Sequence, residues 1–176
     1  MVVAAILVAA VSVVSSWLCG RRAGALMHQP FMPLPDLGHL LLPRAPRHLP
    51  DALLGTVVVA MVVRWSQLLD CVPAATAALT TLAIRTVVVH VTLLPSPLPP
   101  STPWWNGTHD LMFSGHTVCF CAASVVLGAP WVAAVGGLSL IAARAHYTID
   151  VAVAILAFCH IFVLSTRAHA ATNDNG

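Results

Sequence analysis

The sequence predicts an all-α membrane protein, a bundle of six transmembrane helices, and three observations carry that expectation. Charged residues are 8% of the 176-residue chain and hydrophobic residues 59%, whereas a soluble domain carries roughly a quarter charged residues to solvate its surface. The mean hydropathy is +0.88. The apolar residues gather into six runs, and a backbone crossing lipid must satisfy its own hydrogen bonds, which makes each run a helix rather than a strand.

The runs are 2–18, 51–66, 72–94, 111–127, 131–146 and 149–165. Some fall short of the ~20 residues that cross a bilayer core, a length that packing within a bundle relaxes. Arg21 and Arg22 follow the first run instead of preceding it, the reverse of a cleaved signal, so the run is read as a retained helix. A long loop rich in Pro, Arg and His (19–50) and a second Pro-rich loop (95–110) separate tighter turns at 64–71, Gly128–Pro130 and His146–Thr148. Helices of alternating direction put both long loops and the His146 turn on one membrane face. The expected organisation is one transmembrane domain (1–167) and a short disordered tail (168–176).

Composition also narrows function. A net charge of +2, with no basic run interleaved with aromatics, gives no reason to expect nucleic-acid binding. The five cysteines, Cys19, Cys71, Cys119, Cys121 and Cys159, lack metal-ligand spacing. Their odd number, with three inside apolar runs, reads as small core residues rather than a disulfide framework. No metal or cofactor is expected. The remaining charge is eight Arg and six Asp, with no Lys and no Glu.

The candidate chemistry lies at the ends of the fourth and fifth runs. His116 is 13 residues before Ala129 and His146 is 17 after it, or about 20 and 25 Å from the turn at 1.5 Å per residue. Both histidines are therefore expected at similar depth near the polar face. Asp150 follows His146 by four residues, with Thr148 as a candidate helix cap. A histidine held by a carboxylate and facing a second histidine is a nucleophile with its orienter and a general acid. Single histidines at a membrane interface are often only polar caps, but three converging ionisable groups at membrane depth are costly without a function.

Arg85, deep in the third run, needs a partner for the same reason: a lipid phosphate, which a guanidinium fork fits, a carboxylate such as Asp70 or Asp150, or a water-filled cavity to which it snorkels. Arg144 reads as a phosphate ligand or as an interfacial anchor. His90 and His160 read as structural, and Trp104 and Trp105 as part of an aromatic belt.

Phe113-Ser114-Gly115-His116-Thr117 and His146-Tyr147-Thr148-Ile149-Asp150-Val151 resemble the two signature motifs of the sphingomyelin synthases, lipid head-group transferases of the type-2 phosphatidic acid phosphatase superfamily. Asp110, six residues before His116, is similar to the family's motif aspartate. Leu94-Pro95-Ser96-Pro97 and Pro33-Leu34-Pro35-Asp36 resemble two further family segments. The resemblance spans residues 33 to 151. It departs at Thr108-His109, where the family has Cys-Gly. The phosphatases' upstream Lys-x6-Arg-Pro motif is absent, which favours the transferase branch.

The resemblance implies that His146 attacks the phosphorus of a phospholipid donor, that Asp150 orients it, and that His116 serves as acid and then base. Arg85, Asp110, Ser114, Tyr147 and Arg144 are the expected substrate- and phosphate-binding residues. The implied reaction moves phosphocholine, or a related phospho-head-group, to ceramide or diacylglycerol without a metal. Alternatives are hydrolysis, as in a lipid phosphatase or a phospholipase C, and a catalytically idle lipid-binding scaffold. The family's active face is lumenal or exoplasmic. Positive-inside counting points the other way, with Arg21, Arg22, Arg44 and Arg47 on the expected active face against Arg64 and Arg167 on the other.

Overall fold

A computed structural model describes residues 34–64, 71–92 and 113–173, with positions 10, 11, 14, 15 and 18 of the N-terminal segment. Six helices have described bounds: α1 (Leu37–Leu41), α2 (Leu49–Val63), α3 (Val72–Val91), α4 (Gly115–Val126), α5 (Trp131–Ala142) and α6 (Thr148–Asn173). No strand occurs among the described residues. The first expected span, 2–18, lies largely outside them.

Local chemistry sets the helix ends. Prolines open α2 and α3, where a missing N–H costs nothing and the fixed φ suits a first turn. Ser114 caps α4, its Oγ accepting from the Thr117 N–H at 3.2 Å. At the other end of α4, Gly128 takes φ +63. Its N–H donates to the Val125 carbonyl and that of Ala129 to Ser124, at 3.2 and 2.9 Å. This is a Schellman ending, and glycine adopts the left-handed backbone it needs without a Cβ penalty. The α4–α5 hairpin therefore folds where the sequence places its turn.

The expected spans 111–127 and 131–146 are longer than the helices found. Capping at Ser114 and the turn after Ala142 leave α4 and α5 with 12 residues each, about 18 Å long. Two helices, α3 and α6, are long and apolar enough to cross a membrane. The tail expected to be disordered from residue 168 is instead helical to Asn173. The alanines at 168, 170 and 171 favour helix strongly, and each added residue gains a backbone bond on a helix already nucleated.

Helix α4 is central, packing against α2, α3, α5 and α6. On one side Val118, Cys121 and Ala122 meet Ala77 of α3 and Ala154 and Phe158 of α6. On the other, Phe120 and Ala123 meet Val132, Leu140 and Ile141 of α5, with Leu53, Val57 and Met61 of α2 packed on this cluster. Outward surfaces are apolar as well: Val59, Val87, Trp131 and Leu156 are all more than half exposed. Hydroxyls within the helices turn back on their own backbone, Thr81 to Ala77 and Ser139 to Gly136 at 2.6 and 2.7 Å, which satisfies them without water. The polar chemistry lies at one end of the central helix.

Candidate functional site

Four elements converge at the N-terminus of α4. The Ser114 N–H faces the Asp150 carbonyl at 3.5 Å, a weak contact that places the two histidine-bearing segments side by side. The Arg85 side chain, 6% exposed, reaches across from α3 and its Nε donates to the Phe113 carbonyl at 2.8 Å. A side chain added at Gly115 would meet Arg85 Nε at 3.2 Å. The guanidinium thus lies against the helix end, where unpaired backbone N–H groups favour an anion. Asp70, one of the carboxylates weighed for Arg85, lies outside the described residues, as does the motif aspartate Asp110.

His146 is not on α5, because that helix ends at Ala142. It stands in the connection to α6, 7% exposed, with Asp150 fully buried beside it. The approach of Nδ1 to Asp150 Oδ2 is 3.5 Å, longer than an N–H···O bond. The same Oδ2 accepts from the Tyr147 N–H at 2.9 Å. Asp150, three residues into the helix end, thus reaches back to the residue before α6, as the acid of a capping box does. The expected cap, Thr148, is instead the first residue of α6. His146 Nδ1, Asp150 Oδ1 and Thr117 Oγ1 are buried without a hydrogen-bond partner, a condition costing about 1–3 kcal/mol per group.

His116, in the first turn of α4, has a different neighbour. Its Nε2 lies 3.0 Å from Oδ1 of Asp51, in the first turn of α2. No hydrogen bond or ion pair joins His116 to His146 among the described residues.

The remaining expected site residues have structural bonds. Ser114 is fully buried as the α4 cap. Tyr147 is 2% exposed, and its Oη accepts from the Leu34 N–H at 3.1 Å. Burial raises its pKa above the ordinary phenol value. Arg144 donates from Nη1 to the Ile141 carbonyl at 3.2 Å, and from Nη2 to those of His39 and, at 3.1 Å, Leu42. It also sits at φ +60, a left-handed position that costs an L residue about 1–2 kcal/mol. Its guanidinium is engaged by backbone in the manner of an anchor.

Sequence reading named Asp36 only within its Pro33–Asp36 segment and gave it no role, and it missed Asp51 and the short helix α1 inside the 19–50 loop. Asp36 caps α1 through the His39 N–H at 2.9 Å. It also accepts from the Thr148 N–H and hydroxyl at 2.8 and 2.7 Å. Partial burial opposes its charge, but these bonds and the nearby His39 hold its carboxyl below the usual value. Gly38 permits the approach, since a Cβ there would overlap the Thr148 hydroxyl. For Asp51 the available signal was an acid just after a proline at the start of an apolar run, a helix N-terminus pattern. No group of three or more side chains able to hold a metal occurs among the described residues. No family model matches the sequence, and no curated protein or solved structure matches it either.

Proposed function

We propose that the chain is a multi-pass membrane enzyme of six spans that transfers a phospho-head-group between lipids. Its donor is a phospholipid and its acceptor ceramide or diacylglycerol, with the active face lumenal or exoplasmic. The observation that carries the reading is the convergence of the two motif segments at Ser114 and Asp150, with three buried polar atoms there left without partners. Orphaned polar atoms burden a merely structural helix contact. They suit a site that receives a polar group.

In this reading the donor phosphate lies at the α4 N-terminus beside Arg85. His146 attacks phosphorus, the bond to the diacylglycerol oxygen breaks, and His116 supplies the proton that oxygen takes up. The phosphohistidine carries positive charge on its ring, which Asp150 stabilises. The acceptor hydroxyl then gives its proton to His116 and attacks phosphorus, and the P–N bond breaks to release the product and free His146. The half-exposed His116 suits proton exchange, and the buried His146 protects the intermediate from water. That protection favours transfer over hydrolysis.

The test is expression in a host lacking sphingomyelin, followed by lipid mass spectrometry with choline- and ethanolamine-labelled donors. Labelled sphingolipid or exchanged diacylglycerol product is expected. Labelled free head-group phosphate alone would replace the transferase with a hydrolase, and no labelled product from any donor would reject the enzyme.

A further inference from the structure

The turn carrying His146 is gripped from outside by a segment that the proposed reaction does not use. Residues 34–42 bond to four of the five positions from 144 to 148. The Leu34 N–H donates to Tyr147 Oη at 3.1 Å. Asp36 accepts from the Thr148 N–H and hydroxyl at 2.8 and 2.7 Å. His39 Nε2 lies 3.0 Å from the His146 carbonyl, and its ring stands against Tyr147 with centroids 5.5 Å apart. Arg144 donates in the opposite direction, to the carbonyls of His39 and Leu42.

Arg144 is the unusual member. The Arg144 N–H donates to Ile141 and that of Ala145 to Leu140, both at 3.0 Å. This is the bonding of the glycine-ended helix at Gly128, with arginine at the left-handed position. Glycine is the ordinary occupant of that position. The arginine brings what glycine lacks, a fork that closes on three carbonyls from two segments. Gripping a phosphate instead would take those donors away.

We propose that Arg144 and Asp36 are positioning residues for His146, holding the two ends of the turn to residues 36–42 and fixing where its imidazole stands. The kinetic consequence rests on the reading of His146 as nucleophile; the structural consequence does not. The experiment therefore has two readouts on the purified full chain, with the variants Arg144→Gly and Asp36→Asn. Glycine keeps the left-handed turn and loses the fork, and asparagine keeps one acceptor oxygen, so both are chosen to preserve the fold.

The first readout is modification by diethyl pyrocarbonate, followed peptide by peptide. His146, 7% exposed in the native turn, should react several-fold faster in each variant, while exposed His169 reacts at an unchanged rate. The second is steady-state transfer. Loss of positioning should lower kcat about tenfold or more with KM nearly constant. A raised KM with kcat and modification unchanged in Arg144→Gly would make Arg144 a phosphate ligand and overturn the proposal. So would both readouts unchanged in both variants. Faster His146 modification in a protein whose wild type transfers nothing would support the clasp while rejecting the function proposed above.

Discussion

His116 and His146 each face one aspartate, in opposite settings. The His116–Asp51 pair spans 3.0 Å, with side chains 38% and 64% exposed, and its members come from two helices 65 residues apart in sequence. The His146–Asp150 pair spans 3.5 Å at 9% and 0% exposure, four residues apart on one segment. An exposed pair contributes only about 0–1 kcal/mol, so the contact of His116 with Asp51 can break and re-form at little structural cost. The buried pair has no water to fall back on, and its carboxylate is already committed to the Tyr147 N–H. Under the proposed function the difference would divide the work: the open histidine suits proton traffic, and the closed one suits covalent chemistry held away from solvent.

The strongest way to break that division is to ask which side chain carries the intermediate. With head-group-labelled donor and no acceptor, rapid quench should trap label on the peptide containing His146, lost in acid and stable in base, with diacylglycerol released. His146→Ala should abolish transfer. Label on Ser114 would contradict the assignment, and the structure already disfavours it, since the Ser114 Oγ is fully buried and accepts from the Thr117 N–H. Asp150→Asn should slow formation of the intermediate by about 10³-fold or more, because an amide can keep the Tyr147 bond but cannot stabilise an imidazolium.

Next in size is His116→Ala. Loss of a general acid–base costs about 10²–10⁴-fold, and melting should hardly change because the side chain is half exposed. Normal turnover in this variant would leave the acid role without an owner. A smaller effect is expected from Arg85→Lys. A lysine cannot present the fork that meets both the Phe113 carbonyl and a phosphate, so donor KM should rise about tenfold. Failure of the variant to fold would show that the guanidinium serves chiefly to hold α3 to α4.

Much of this was legible in the sequence. Helices α3, α4 and α5 lie within the apolar runs at 72–94, 111–127 and 131–146, while α2 and α6 overlap those at 51–66 and 149–165 and extend beyond them, because a run of apolar residues bounded by Pro, Gly and polar turns leaves the chain few alternatives. The helix ends were less legible. Nothing in the local pattern says that Arg144 adopts the left-handed backbone and stops α5 early, since arginine is an ordinary helix residue and only the carbonyls of His39 and Leu42, brought from elsewhere in the chain, make that turn worthwhile. The site shows the same split. His116, His146 and Asp150 are spelled out in short motifs. The partners Asp51 and Asp36 lie 65 and 112 residues from the groups they meet, and a pairing at that separation leaves no trace in one sequence.

Asp51 also supplies the sharpest test of the comparison, because it should have the smallest effect. If the His116 pair is an exposed tuning contact rather than part of a fixed catalytic set, Asp51→Asn removes a Coulombic interaction of about 0.2–1 kcal/mol, which corresponds to a loss of about 1.4- to fivefold in kcat/KM. Salt should erase the difference. At 1 M ionic strength the Debye length is about 3 Å, comparable to the separation of the pair itself, so wild type and variant should converge between 0.05 and 1 M NaCl. The buried Asp150 gives the opposite pattern, since ions cannot enter a fully enclosed carboxylate site and the deficit of Asp150→Asn should hold at every salt concentration. The measurement is kcat/KM for both variants across that range in one detergent. A salt-independent, hundredfold loss in Asp51→Asn would place Asp51 in the catalytic set beside Asp150 and end the contrast between the two pairs.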